Sequence, residues 1–87
     1  MFNVILSRKA HKFLRSLDVN VRTRMVEVLA DLADYPFGLK RHDVKKIQGR
    51  DFTFRVRVGD VRAIFYVDKN DEHVVVLKID FRESAYQ

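Results

Sequence analysis

With 87 residues the chain has room for a single domain, spanning residues 1–87, and one modest core that 47% hydrophobic residues and seven Phe can fill. It contains no Cys, which excludes disulfide staples, thiolate metal sites and cysteine nucleophiles and suits a reducing compartment. The net charge is +5, and residues 40–62, with eight basic side chains against three acids, carry all of it, the footprint of a polyanionic partner.

Residues 2–6 are β-rich and read as a first strand. They are too short, and lack the basic flank, to be a signal peptide, and no run approaches the ~20 apolar residues of a membrane-spanning helix. A cytoplasmic protein with no membrane association is expected. Ser7 can cap a helix whose Ala10, Phe13, Leu14 and Leu17 recur at helical spacing. Asp18, Val19 and Asn20 interrupt it, and Asp18 or Asn20 can cap a second helix. That helix sets Val21, Met25, Val28, Leu29 and Leu32 against Arg22, Arg24, Glu27 and Asp31, and it should end near Tyr35, before Pro36. A polar, basic connection follows, within which residues 44–47 can form a short strand.

Residues 52–67 (FTFRVRVGDVRAIFYV) read as a β-hairpin turning on Gly59-Asp60, with glycine first as a type II′ turn requires. That turn pairs Val58 with Val61, Val56 with Ala63, Phe54 with Phe65 and Phe52 with Val67, an apolar face. The other face opposes Arg57 to Arg62, with Arg55 two residues along from Arg57. Like charges opposed across a sheet are destabilising, which points to an anion on this surface. After a loop at residues 68–72, residues 73–80 (HVVVLKID) suit a strand buried on both faces. Pairing it so that Phe65 meets Leu77 brings Asp80 to Arg62 and Lys78 to Ile64. Asp80 then neutralises Arg62 but leaves Arg55 and Arg57 without partners. The order β-α-α-β-β-β gives an α+β domain, an antiparallel sheet with an N-terminal two-helix hairpin packed on one face and the arginines on the other.

His11, His42 and His73 are too widely spaced for a metal site, three glycines cannot build a phosphate-binding loop, and no serine has a nucleophile context. No metal or cofactor is expected. Arg55, Arg57, Arg62, Lys78 and Arg82, with Tyr66 and Tyr86, can surround a phosphodiester. Guanidiniums clamp phosphate oxygens and tyrosines stack on unpaired bases. This set suits metal-free RNA cleavage in which the ribose 2′-hydroxyl attacks the adjacent phosphate. Arginine stays protonated, so Lys78, Lys46 or a tyrosine would serve as base. Lys45 and Lys46 read first as solvated and second as contacts to rRNA phosphates.

The run Lys46-Ile47-Gln48-Gly49, then residues 54–62 (FRVRVGDVR), then residues 76–82 (VLKIDFR) with Tyr86 after them, resembles the RelE/ParE superfamily of toxin–antitoxin toxins, its archaeal-type RelE members above all. The resemblance covers essentially the whole chain. It implies a RelE-like fold and a toxin that cleaves mRNA in the ribosomal A site. It also implies a cognate RelB-like antitoxin, whose C-terminal segment should be acidic if it neutralises the basic face. By the same resemblance Arg62 stabilises the transition-state phosphate, Arg55 and Arg57 orient the nucleotide, Tyr86 stacks on a base and Arg82 assists the leaving oxygen or holds phosphate. The chain departs from many RelE-branch proteins in having Arg55 and Arg57 where they have Lys, and Phe81 where they have His, which removes base candidates. Two other readings compete. One is a ParE-like toxin that inhibits DNA gyrase by binding, and the other is an inactive toxin fold that only binds.

Overall fold

Gly59 turns the chain at a φ of 59° while Asp60 stays outside the positive-φ region, the pattern of a type II′ turn. In the computed structural model, which describes residues 1–81, this turn joins β3 (Thr53–Val58) to β4 (Val61–Asp68). The pairing is the one the turn dictates: Val58 with Val61, Arg57 with Arg62, Val56 with Ala63 and Phe54 with Phe65. Ahead of the hairpin come β1 (Asn3–Leu6), α1 (Arg8–Ser16), α2 (Val19–Asp31) and β2 (Asp43–Lys46), and after it β5 (His73–Phe81). Among the described residues the strands form one sheet in the order β1-β5-β4-β3-β2. Strands β2 to β5 are antiparallel, as expected, and β1 joins the free edge of β5 in parallel, pairing Ile5 with Val75 and Leu6 with Val76.

Both helices start where their caps stand. Ser7 Oγ accepts from the Ala10 amide at 3.0 Å, and an Asp18 carboxylate oxygen accepts from the Asn20 amide at 3.0 Å. The helical bonding of α2 stops at Asp31 and tightens into a 3-10 turn over Leu32–Asp34, before Pro36. A second 3-10 segment, Phe37–Arg41, leads to β2. A Cβ at Gly38 would lie 1.9 Å from the carbonyl oxygen of Asp31, so only glycine lets this segment pass the end of α2 on its way to the sheet. The core lies between the helices and one sheet face. Ala10, Leu14, Met25, Val28, Leu29 and Leu32 pack against Val56, Ala63, Phe65, Val67, Val74, Val76 and Ile79. Phe54 stacks on Phe65 at 5.4 Å. Phe52, expected on this same face, instead has a φ of 53° and is exposed, because the left-handed residue breaks the alternation before β3 begins.

Strand β5 carries a β-bulge. Arg62 pairs with Asp80 and Ile64 with Lys78, but Phe65 pairs with Val76, so Leu77 is an extra residue. The expected contact of Phe65 with Leu77 is corrected by that insertion. The bulge also resets the alternation. Val74 and Val76 are buried under the helices, then Ile79 is, which leaves Lys78 and Asp80 on the opposite face. Nor is β5 buried on both faces, since the helices cover only one and Val75 and Leu77 remain partly exposed. Ser7 fastens the bulge. Its hydroxyl donates to the Leu77 carbonyl at 2.8 Å and its amide to the Val76 carbonyl at 2.9 Å.

Across the bulged pair, Arg62 Nε donates to an Asp80 carboxylate oxygen at 2.8 Å, and Lys78 Nζ lies 3.2 Å from the other. Burial alone would raise the pKa of Asp80, but the hydrogen bonds and charges of Arg62 and Lys78 outweigh it and hold the carboxyl below its ordinary 3.8. A depressed folded-state pKa means that this stabilisation is complete above the unfolded value and is lost as pH falls through the folded one. The urea midpoint is therefore expected to hold from about pH 7 to about pH 5 and to fall below about pH 4, less steeply in Asp80→Asn. Ser7→Ala removes a helix cap and a bond to the bulge together. Urea unfolding should show a loss of about 1–3 kcal/mol, and an unchanged midpoint would refute the fastening role.

Candidate functional site

The alternation that buries Val56, Val58, Val61, Ala63 and Phe65 turns the intervening residues to the uncovered sheet face. There the strand registers line up two cross-strand rows. The first runs Asp43, Arg57, Arg62, Asp80 across β2, β3, β4 and β5. The second runs Lys45, Arg55, Ile64, Lys78 over the same strands. Two guanidiniums thus face each other in the first row with a carboxylate outside each. The second row is cationic except for Ile64.

Asp43 overturns the expectation that Arg55 and Arg57 lack partners. One carboxylate oxygen of Asp43 lies 3.4 Å from Arg55 Nη1 and the other 3.7 Å from Arg57 Nε. Arg55 Nη1 also donates to the Asp43 carbonyl at 3.2 Å. Arg57 Nε is nonetheless buried with no hydrogen-bond partner, since 3.7 Å is too long for one. A buried donor without an acceptor among the described residues is costly to maintain, and an anion that drew the guanidinium outward would relieve that cost. The Arg55 side chain is only 14% exposed, whereas those of Arg57 and Arg62 are 33% and 26% exposed, so of these three arginines the opposed pair is the more accessible.

The remaining sequence candidates divide by position. Lys45 and Lys78 reach the arginine face, in the second row. Lys46 does not. It pairs with Phe54, so alternation sends it to the other side of the edge strand, away from the arginine face on which a base would have to stand. Tyr66 sits on the arginine face opposite Thr53, exposed, and four residues along β4 from Arg62. Arg82 and Tyr86 lie outside the described residues. Among the described residues no three His, Asp or Glu side chains gather as ligands for a metal ion, and no helix is long and apolar enough to cross a membrane.

Two features escaped the sequence reading. Asp43 was counted as one acid in a basic stretch, although its place two residues before Lys45 puts it on the arginine face once β2 forms. The charge balance outside residues 40–62 also hides a second basic cluster. Helix α1 carries Arg8, Lys9, Lys12 and Arg15, all exposed, and no acid.

No protein-family model matches the chain. A protein of Methanocaldococcus jannaschii whose name places it among RelE toxins, RelE1, is 30% identical over 86 residues, covering 99% of this chain and 96% of that one. Among solved structures, the archaeal RelE–RelB complex of Pyrococcus horikoshii holds a chain of the same fold, with a TM-score of 0.81 and 29% identity over 93% of this chain and 94% of that one. The RelBE2 toxin–antitoxin complex of Mycobacterium tuberculosis gives a TM-score of 0.73 and 27% identity, covering 93% and 98% of the two chains. The isolated Escherichia coli RelE toxin gives 0.78 at 17% identity, over 93% of this chain and 84% of that one, a likeness of fold. Identity that spans nearly the full length of both chains, on this fold and with this hairpin, shows that the chain belongs to the RelE toxin superfamily.

Proposed function

We propose that this toxin is an endoribonuclease that cuts mRNA on the ribosome, by attack of a ribose 2′-hydroxyl on the adjacent phosphorus without a metal ion. The observation that carries the reading is the opposed pair Arg57 and Arg62, with an unpartnered guanidinium nitrogen on Arg57. A phosphodiester between them gains two planar, permanently charged donors where negative charge develops in the transition state. Arg55, Lys45 and Lys78 in the adjacent row extend the same positive surface along a strand.

Arginine cannot accept the 2′-hydroxyl proton. Asp80 is a poor acceptor, because the bonds from Arg62 and Lys78 that lower its pKa favour its ionised form. The base is therefore left to Lys78 or Tyr66 on the same face, and the arginines act by positioning and by charge stabilisation. A site of this kind needs its RNA strand fixed by something larger, which accounts for dependence on the ribosome. The second basic cluster on α1 supports such a partner, since it adds a separate cationic surface for structural RNA.

Arg82 and Tyr86 complete the proposed catalytic set with Arg55, Arg57 and Arg62. The cognate partner is a RelB-like antitoxin with an acidic segment. A groove of about 470 Å³ between α1 and β5, floored by Phe13 and Ile79 and rimmed by Lys9, Lys12 and Lys78, suits an acidic amphipathic stretch.

In a reconstituted translation reaction with a defined mRNA, the wild-type protein should cut at the A-site codon only when ribosomes are present. Arg62→Ala should slow cleavage by about 10²–10³-fold. Intact mRNA with translation continuing would overturn the ribonuclease reading. Arrest of replication ahead of translation on expression would favour gyrase inhibition instead. Affinity for the antitoxin should fall by about an order of magnitude between 0.1 M and 1 M salt, and binding that ignores salt would refute the electrostatic contribution.

A further inference from the structure

Phe52 breaks the pattern of its own strand. Alternation would place it with Phe54 over the core, yet it adopts a φ of 53°, a left-handed conformation rare for a bulky aromatic residue. The residue is 43% exposed and lines a cleft with Tyr66, itself 36% exposed on the arginine face. Lys69 Nζ stands 4.8 Å from the centre of the Phe52 ring. The cleft, about 350 Å³, is completed by Val67, Asp68 and Asn70. The turn that carries Lys69 and Asn70 is fixed by an Asp68 carboxylate oxygen, which accepts from the amides of Asn70 at 3.1 Å and Asp71 at 3.2 Å. Backbone outliers that keep an apolar ring in solvent are concentrated at ligand sites.

We propose that this cleft is a nucleobase subsite, taking an unpaired base of the same RNA strand whose phosphate is held by Arg57 and Arg62. The inference rests on the ribonuclease reading and adds to it where a neighbouring base goes. Tyr66 supplies the stacking face, and Phe52 forms the wall. Lys69 offers a cation to the following phosphate, and the Asn70 amide can bond a base edge. Tyr66 lies four residues beyond Arg62 on β4, about 13 Å at ~3.3 Å per residue. A strand running along β4 reaches the cleft within a nucleotide or two of the bound phosphate.

The test is a nuclear magnetic resonance titration with a short single-stranded DNA oligonucleotide, which has no 2′-hydroxyl and is not cut, taken to millimolar concentration. The ring signals of Phe52 and Tyr66, assigned with Phe52→Leu and Tyr66→Leu, should shift together with the amides of Arg55, Arg57 and Arg62. Removing one base from the oligonucleotide, or the Tyr66→Leu change, should weaken binding about tenfold. Shifts at the arginines with silent Phe52 and Tyr66 rings, or equal binding of the abasic oligonucleotide, would overturn the subsite and leave the ribonuclease reading standing. Silence across the whole arginine face would overturn the subsite as well, while the ribonuclease reading stands or falls separately on ribosome-dependent cleavage in the translation reaction.

Discussion

Two guanidiniums facing each other across an antiparallel pair repel by something under ~1 kcal/mol, and the sheet is arranged around that repulsion. Asp43 stands outside Arg57 on β2 and Asp80 outside Arg62 on β5, so a carboxylate at each end of the row of four makes the central pair tolerable. The row exists only while three registers hold at once. A slip of one residue in any of them would turn charged side chains of the slipped strand toward the helices and carry its core-facing residues out to solvent. Burial of Val56, Ala63 and Phe65 and alignment of the arginines are therefore one constraint, set first by the two-residue turn at Gly59.

The third register could not be met by a regular strand. With Val74 and Val76 under the helices, unbroken alternation would place Lys78 and Asp80 there as well, at the cost of burying two charges. The extra residue at Leu77 lets Ile79 take the core position and delivers Asp80 to Arg62. The Ser7 hydroxyl, which caps α1, also holds the carbonyl of that residue. The start of the helix layer and the phase of the site strand are thus linked through one side chain, adjacent to the first and 70 residues from the second.

This arrangement explains which parts could be read from the chain. The hairpin was legible because a Gly-Asp turn and strict alternation leave one register, and counting from the turn gave every pair from Val58–Val61 to Phe54–Phe65. Arg62–Asp80 and Ile64–Lys78 were legible for the same reason, being on the near side of the bulge. The bulge was not, because the apolar run through Val74, Val75, Val76 and Leu77 has no alternation in which a change of phase could show. Asp43 was hidden because β2 is a four-residue edge strand of mostly polar residues, with too little pattern to fix its faces. Phe52 was misplaced because alternation carries no sign of a left-handed residue. The two C-terminal members of the proposed catalytic set, Arg82 and Tyr86, lie outside the described residues, so their part in the site rests on the family resemblance alone.

The row also bears on the size of ligand that this surface selects. A lone phosphate arriving at Arg57 and Arg62 competes with Asp43 and Asp80, carboxylates already within ion-pair distance, and gains little beyond the unpartnered nitrogen of Arg57. A polymer dilutes that competition. Its neighbouring phosphates meet Lys45, Arg55 and Lys78 as well, so the two carboxylates, which also reach Arg55 at 3.4 Å and Lys78 at 3.2 Å, are shared among five cations. Each phosphate neutralised beyond the first adds counterion release that a lone anion does not have. The carboxylates that make the opposed arginines tolerable in the empty protein thereby discriminate against small anions. They favour a strand long enough to engage both rows.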